Sequence, residues 1–144
     1  MKNRISAITA ISVLLTAILA CNMSTANISS FKVSKDEEGK QESKDFKAGE
    51  TIYATTVVSN SGEKVTVKFY LIADDAPMIN KGETVPGSEV KVELPGSGTA
   101  HYSLPIPAAL QGGRFELHTE MINSAGEKKD EKRENISIQP AAGA

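Results

Sequence analysis

The chain is 144 residues long, with 16 Lys and Arg against 18 Asp and Glu and a formal net charge of −2. One domain is the expected content at that length, and a charge so near balance offers no clustered basic footprint, so no nucleic-acid partner is expected. A single cysteine excludes an internal disulfide and leaves stability to a hydrophobic core.

Lys2 and Arg4 are the only charges before Lys32, and an apolar run, "ISAITAISVLLTAILA", fills Ile5 to Ala20. As a helix this run covers about 24 Å, short of the ~30 Å of a bilayer core. A basic start, a short apolar middle and a small-residue exit predict a secretory signal peptide over residues 1–20. The exit reads "ILAC" and resembles the lipobox of bacterial lipoproteins, with Ile18 where Leu is usual and Leu19 where a smaller residue is usual. That resemblance implies acylation of Cys21 and removal of residues 1–20, which leaves a formal charge of about −4. Acylation also accounts for the lone thiol, since an unpaired cysteine is a liability in an oxidising exported compartment. Two or three acyl chains, at ~0.8 kcal/mol per buried methylene, hold a protein stably at a membrane. The expected location is therefore the cell envelope, with the lipid anchor as the membrane contact. Asn22 in place of Asp after the cysteine implies the outer membrane if the source is Gram-negative.

Residues 21–30 carry small polar side chains after the cysteine and are expected to form a tether, with the folded domain over residues 31–144. In that domain apolar residues recur with period two, the spacing that puts alternate side chains on one face of a strand. In chain order the predicted inward sets are Phe31 and Val33; Ile52, Ala54, Thr56 and Val58; Val65, Val67, Phe69 and Leu71; Val90, Val92 and Leu94; Tyr102 and Leu104; Phe115, Leu117 and Met121; Ile136 and Ile138. Turn residues separate them: "SNSGEK" at Ser59 to Lys64, "LPGSGT" after Leu94, "PIPAALQGG" as a longer crossing, and "NSAGEK" from Asn123. Seven short strands with turn signals every 8 to 12 residues predict an all-β, seven-stranded immunoglobulin-like β-sandwich.

The stretches "FKAGETIYATTVVSNSGEKVTVKFYL" and "LPGSGTAHYSLPIPAALQGGRFELHTEMINSAGEK" resemble the immunoglobulin-like modules of bacterial envelope proteins, of the CARDB and invasin-adhesin sort. The resemblance spans nearly all of Phe46 to Gln139 and implies a fold more than an activity. Phe115 stands where such modules commonly carry a corner tyrosine, and the cysteine pair and tryptophan of antibody domains are missing.

The residues hold little chemistry. Nucleophilic catalysis needs Ser, Cys or Thr beside a base oriented by a third group, and His101 and His118 fall on strands of opposite predicted sheets. Zinc or copper needs three or four N and S ligands, so neither a metal nor any other cofactor is expected. "ADDAPMINKGE", Ala73 to Glu83, has oxygens that calcium can use but lacks the spaced acidic run of a calcium loop, and a solvated turn is the expected meaning. "EKKDEKRE", Glu127 to Glu134, mixes signs evenly and reads as a solubilising hairpin leading into an exposed edge strand.

What remains is a sheet face. With Val67, Phe69, Leu117 and Met121 inward, Lys68, Tyr70 and Ile72 on one strand point outward beside Glu116, His118 and Glu120 on its neighbour. An exposed Tyr70 and Ile72 rimmed by charge form the candidate binding face. The expected function is a lipid-anchored, non-enzymatic envelope module that binds a protein or an envelope polymer. The competing expectation is an inhibitor of an exported proteinase or other exported enzyme, presenting a loop such as "DDAPMINKGETVPG" to a cleft.

Overall fold

The computed structural model describes residues 25–143; the predicted signal peptide and Cys21 lie outside the described residues. Among the described residues there are eight strands: β1 (Asn27–Ser34), β2 (Asp45–Lys47), β3 (Thr51–Ser59), β4 (Val65–Asp75), β5 (Val90–Leu94), β6 (Gly98–Pro105), β7 (Gly113–Ile122) and β8 (Lys128–Gln139). They form a β-sandwich of a three-stranded sheet, β1-β3-β6, and a five-stranded sheet, β2-β8-β7-β4-β5. Neighbours are antiparallel except β2, which runs parallel to β8. The strand order is that of an immunoglobulin-like fold, in which the first, second and fifth main strands face the third, sixth and seventh.

The alternation read from sequence carries the core. β3 buries Ile52, Ala54, Thr56 and Val58, and β4 buries Val65, Val67, Phe69, Leu71 and Ala73. Among the described residues every buried apolar side chain lies between Ile28 and Ile138, so a chain beginning at Thr25 keeps all of them. Three contacts bolt the sheets together. The rings of Phe69 and Tyr102 stack at 5.1 Å, the Tyr102 hydroxyl donates to the Ser88 carbonyl at 2.8 Å, and the buried hydroxyls of Thr56 and Thr119 lie 2.9 Å apart. Tyr102 thus supplies a side-chain-to-backbone tie.

Two expectations are corrected. The strand count is eight because Asp45–Lys47 forms a strand that alternation cannot reveal: it holds one apolar residue, Phe46, between charges, yet Phe46 is buried in the core. The residues Asn27 to Ser30, expected in the tether, form the first half of β1, because Ile28 points inward and is buried between polar neighbours. In the β3–β4 turn Asn60 takes a positive φ of 59°. At the start of β7 two glycines allow close approach: a Cβ on Gly112 would stand 2.7 Å from the Ile138 carbonyl, and one on Gly113 would stand 2.9 Å from Ala76.

The two ends of the sandwich differ. Asn27 pairs with Ser59, Val58 with Gly98, and Ile122 with Lys128, so the start of β1 shares its end with the short β3–β4, β5–β6 and β7–β8 turns. The opposite end carries the longer crossings after β1, β4 and β6.

Candidate functional site

β4 and β7 are neighbours, and their register puts Lys68 opposite Glu120, Tyr70 opposite His118, and Ile72 opposite Glu116. The six candidate residues therefore share the outer face of the five-stranded sheet, as the period-two reading placed them. β8 extends the face, with Arg133 opposite His118 and Glu131 opposite Glu120.

Tyr70 is the centre of this face, and it is half-buried where exposure was expected. Its ring stacks on His118 with centroids 5.1 Å apart and planes 21° from parallel. Lys68 Nζ lies 4.8 Å from the ring centroid on a cation-π approach. The hydroxyl donates to Glu120 Oε1 at 2.6 Å, and burial, followed by the Glu120 carboxylate, pushes its pKa well above the usual value. Beneath the ring His118 is buried, with Nε2 3.0 Å from Glu116 Oε2. The charge network continues through Arg133 to Glu116 at 3.8 Å and through Lys128 to Glu131 at 2.8 Å and to Glu120 at 3.8 Å. Ile72 is half-buried as well, because Thr84 of the β4–β5 loop bridges to it and the loop runs back along β4. The face is thus a held aromatic ring in a charged net, and the open apolar patch expected from sequence is absent because the side chains cover one another.

The loop that shades Ile72 is built by backbone bonds from Val85 N–H to the Leu71 carbonyl at 2.8 Å and from Ala73 N–H to the Glu83 carbonyl at 2.9 Å. Ser88 is buried in it, its Oγ accepting from Leu71 N–H and donating to the Val85 carbonyl. Asp74 at its base contacts Lys81 at 2.8 Å and Arg114 at 3.5 Å, and Lys81 chiefly holds the Asp74 carboxyl below its usual pKa. At the loop tip Met78 is 96% exposed, the one large apolar side chain in the open among the described residues, and it sits at φ 68°. Between this loop and the β6–β7 crossing lies an apolar cavity of about 270 Å³, lined among others by Ile52, Leu71, Val85, Leu104, Phe115 and Ile138. Sequence reasoning missed both features. The Pro-Met-Ile order gave an apolar residue in a turn, but the direction of its side chain depends on how the loop pairs with β4.

The histidines stay apart, with His101 on β6 and His118 on β7 in opposite sheets. Among the described residues no group of three or more His, Cys, Asp and Glu gathers into a metal-binding cluster.

No protein-family model matches the chain, and no curated protein matches it. Solved structures do. The C-terminal domain of wzt is 9% identical, covers 83% of this chain and 76% of its own, and superposes with a TM-score of 0.53. That likeness supports the two-sheet fold. An immunoglobulin-like protein of Pseudomonas aeruginosa, PA1606, is 11% identical over 82% of this chain and 99% of its own, with a TM-score of 0.49. A family 76 glycoside hydrolase from a bovine Bacteroides thetaiotaomicron strain is 14% identical over 78% of this chain, which spans 20% of that enzyme, with a TM-score of 0.47.

Proposed function

We propose that the chain is a lipid-anchored, non-enzymatic module of the bacterial cell envelope, related to the CARDB and invasin-type modules, that binds another protein or an envelope polymer. The observation that carries this reading is the single cysteine, Cys21, at the junction of a basic-apolar leader and a polar stretch. The polarity of the sandwich supports it. β1 begins at Asn27, only six positions beyond Cys21, at the end with the tight turns, so a lipid on Cys21 holds that end at the membrane and turns the long loops away from it. Such display confines the domain to two dimensions and raises its effective concentration toward partners on the same surface. The β4–β7 face stands on the side of the domain, its ring held in place before a partner arrives.

The inhibitor reading draws its support from Met78, whose exposed side chain on a positive-φ residue at a loop tip has the form of a group offered to a cleft.

One experiment separates these readings. The full chain and its Cys21→Ser variant are expressed in a bacterial host with labelled palmitate, and label and membrane association are expected for the parent and absent from the variant. Label on both, or on neither, removes the anchor. The domain from Thr25 is then immobilised against envelope extract alongside Tyr70→Ala/His118→Ala and Met78→Asp. Loss of the retained species in the first variant places binding on the sheet face. Loss in the second, with inhibition of an exported proteinase by the parent, favours the inhibitor.

A further inference from the structure

Strand edges expose unpaired N–H and C=O groups that invite another strand, and folded proteins defend them with brevity, charge, bulges or cover. In this sandwich every edge but one is defended. β2 is three residues long. β5 has five residues and exposes Lys91 and Glu93. β8, flanked on one side only from Lys128 to Ile136, carries the mixed charge run there. β1 has a bulge between Ile28 and Ser30, its Ile28 N–H donates to Asp130 Oδ2 at 2.8 Å, and Ser43 N–H reaches its Val33 carbonyl at 3.1 Å.

β6 has none of these devices. It pairs with β3 from Gly98 to Pro105 without a register shift, and it lies at the end of its sheet. It contains no Lys, Arg, Asp or Glu, and its outward side chains, Thr99, His101 and Ser103, are exposed and carry no formal charge at pH 7. Pro105 is its last residue, leaving the preceding backbone free of proline. Buried Ala100 and Tyr102 on the inner side fix which way the strand faces. His101 and Glu37 line a shallow hollow of about 210 Å³ together with Tyr53 and Ser103.

We propose that β6 pairs antiparallel with β6 of a second copy of this chain about a two-fold axis, joining two three-stranded sheets into one of six strands. A second copy suits the edge because it is self-complementary: an isologous contact sets each surface against itself, and an uncharged row does so without repulsion. The register is constrained too. Opposed residues must share a face, so the axis passes midway between one residue and its own copy, not between residues of different number. Centring on His101 pairs Gly98 to Leu104 with themselves, sets Thr99 against Ser103 and His101 against its own copy, and leaves Pro105 outside. Centring on Tyr102 would draw Pro105, which has no N–H, into the ladder. The pairing does not depend on the lipid anchor, though confinement at a membrane would strengthen it.

The test uses the domain from Thr25, which contains no cysteine and keeps the whole core. His101→Cys brings two thiols within about 4.5–5.5 Å between Cβ atoms across the axis, close enough for a disulfide with small adjustment. Under mild oxidation this variant is expected to form a covalent dimer on the order of tenfold faster than Lys91→Cys on the charged β5 edge, owing to its higher effective thiol concentration. Equal rates would overturn the proposal. His101→Lys and His101→Glu, folded by their melting curves, are each expected to be monomeric in sedimentation, while an equimolar mixture recovers a heterodimer. A mixture that stays monomeric counts against the register and the pairing together. In membranes of a producing host, the full chain carrying His101→Cys is expected to crosslink to itself; a crosslink to a different protein would overturn the second copy in favour of a foreign strand.

Discussion

The two sheets share one core but meet solvent differently. The outer face of the five-stranded sheet is ionic: Lys68, Glu116, Glu120, Lys128, Glu131 and Arg133 surround Tyr70 and His118, and each of these side chains is bonded or stacked with another. The outer face of the three-stranded sheet sets Thr99 opposite Val57, His101 opposite Thr55 and Ser103 opposite Tyr53, with Lys32 its charged member on β1. Both surfaces satisfy period-two patterning, since the fold requires only that the inner residues be apolar. The outer residues are free to differ, and the difference decides what each sheet can join. On an edge strand mixed charge discourages a further strand, and β6 is the edge that carries none.

If the sheets share a single core, truncating its centre lowers both together. Phe69→Ala removes a fully buried ring and its stack on Tyr102, and it is expected to lower stability by about 3–5 kcal/mol in denaturant unfolding, in one transition. Two transitions would mean that the sheets are separate units. A finer probe is the hydroxyl pair between them. Thr56→Val leaves the Thr119 hydroxyl buried without its partner across the sandwich and is expected to cost about 1–3 kcal/mol. Adding Thr119→Val removes the orphan and is expected to recover most of that loss. A double-mutant cycle showing no coupling would mean that the two hydroxyls do not meet.

The inner faces were legible in the sequence because burial imposes the pattern at every second residue. Ile52 through Val58 and Val65 through Leu71 fall where alternation puts them. β2 was not legible, because three residues are too few to alternate and what holds Phe46 is the parallel strand β8, some ninety positions away. The first half of β1 was hidden for the same reason: one isoleucine among Ser and Asn marks a strand only when β3 lies beside it. At the candidate face the sequence yielded the right neighbours and the wrong exposure. Register follows from topology, but burial on an outer face depends on how side chains lean over one another. Tyr70 covers His118, and a loop with weak sequence signals covers Ile72.

Tyr70 gives the smallest expected effect and the sharpest contrast between the faces. Tyr70→Phe keeps the ring on His118 and removes only the bond to Glu120, so a loss of about 0.5–1.5 kcal/mol is expected at neutral pH. The pH dependence carries more information. In the unfolded chain the hydroxyl gives up its proton near pH 10, whereas in the folded chain burial and the Glu120 carboxylate hold that proton to higher pH. Above about pH 10 the folded state therefore binds more protons than the unfolded state, and the stability that Tyr70 contributes is full below that pH and falls as pH rises through the folded-state value. Denaturant unfolding between about pH 9 and pH 11 should show the parent losing stability more steeply than Tyr70→Phe. Tyr102 keeps its own raised pKa in both proteins, so it adds the same slope to each and cancels from the comparison. Parallel curves would mean that the Tyr70 hydroxyl is solvated in solution and that the ionic face is looser than its hydrogen bonds imply.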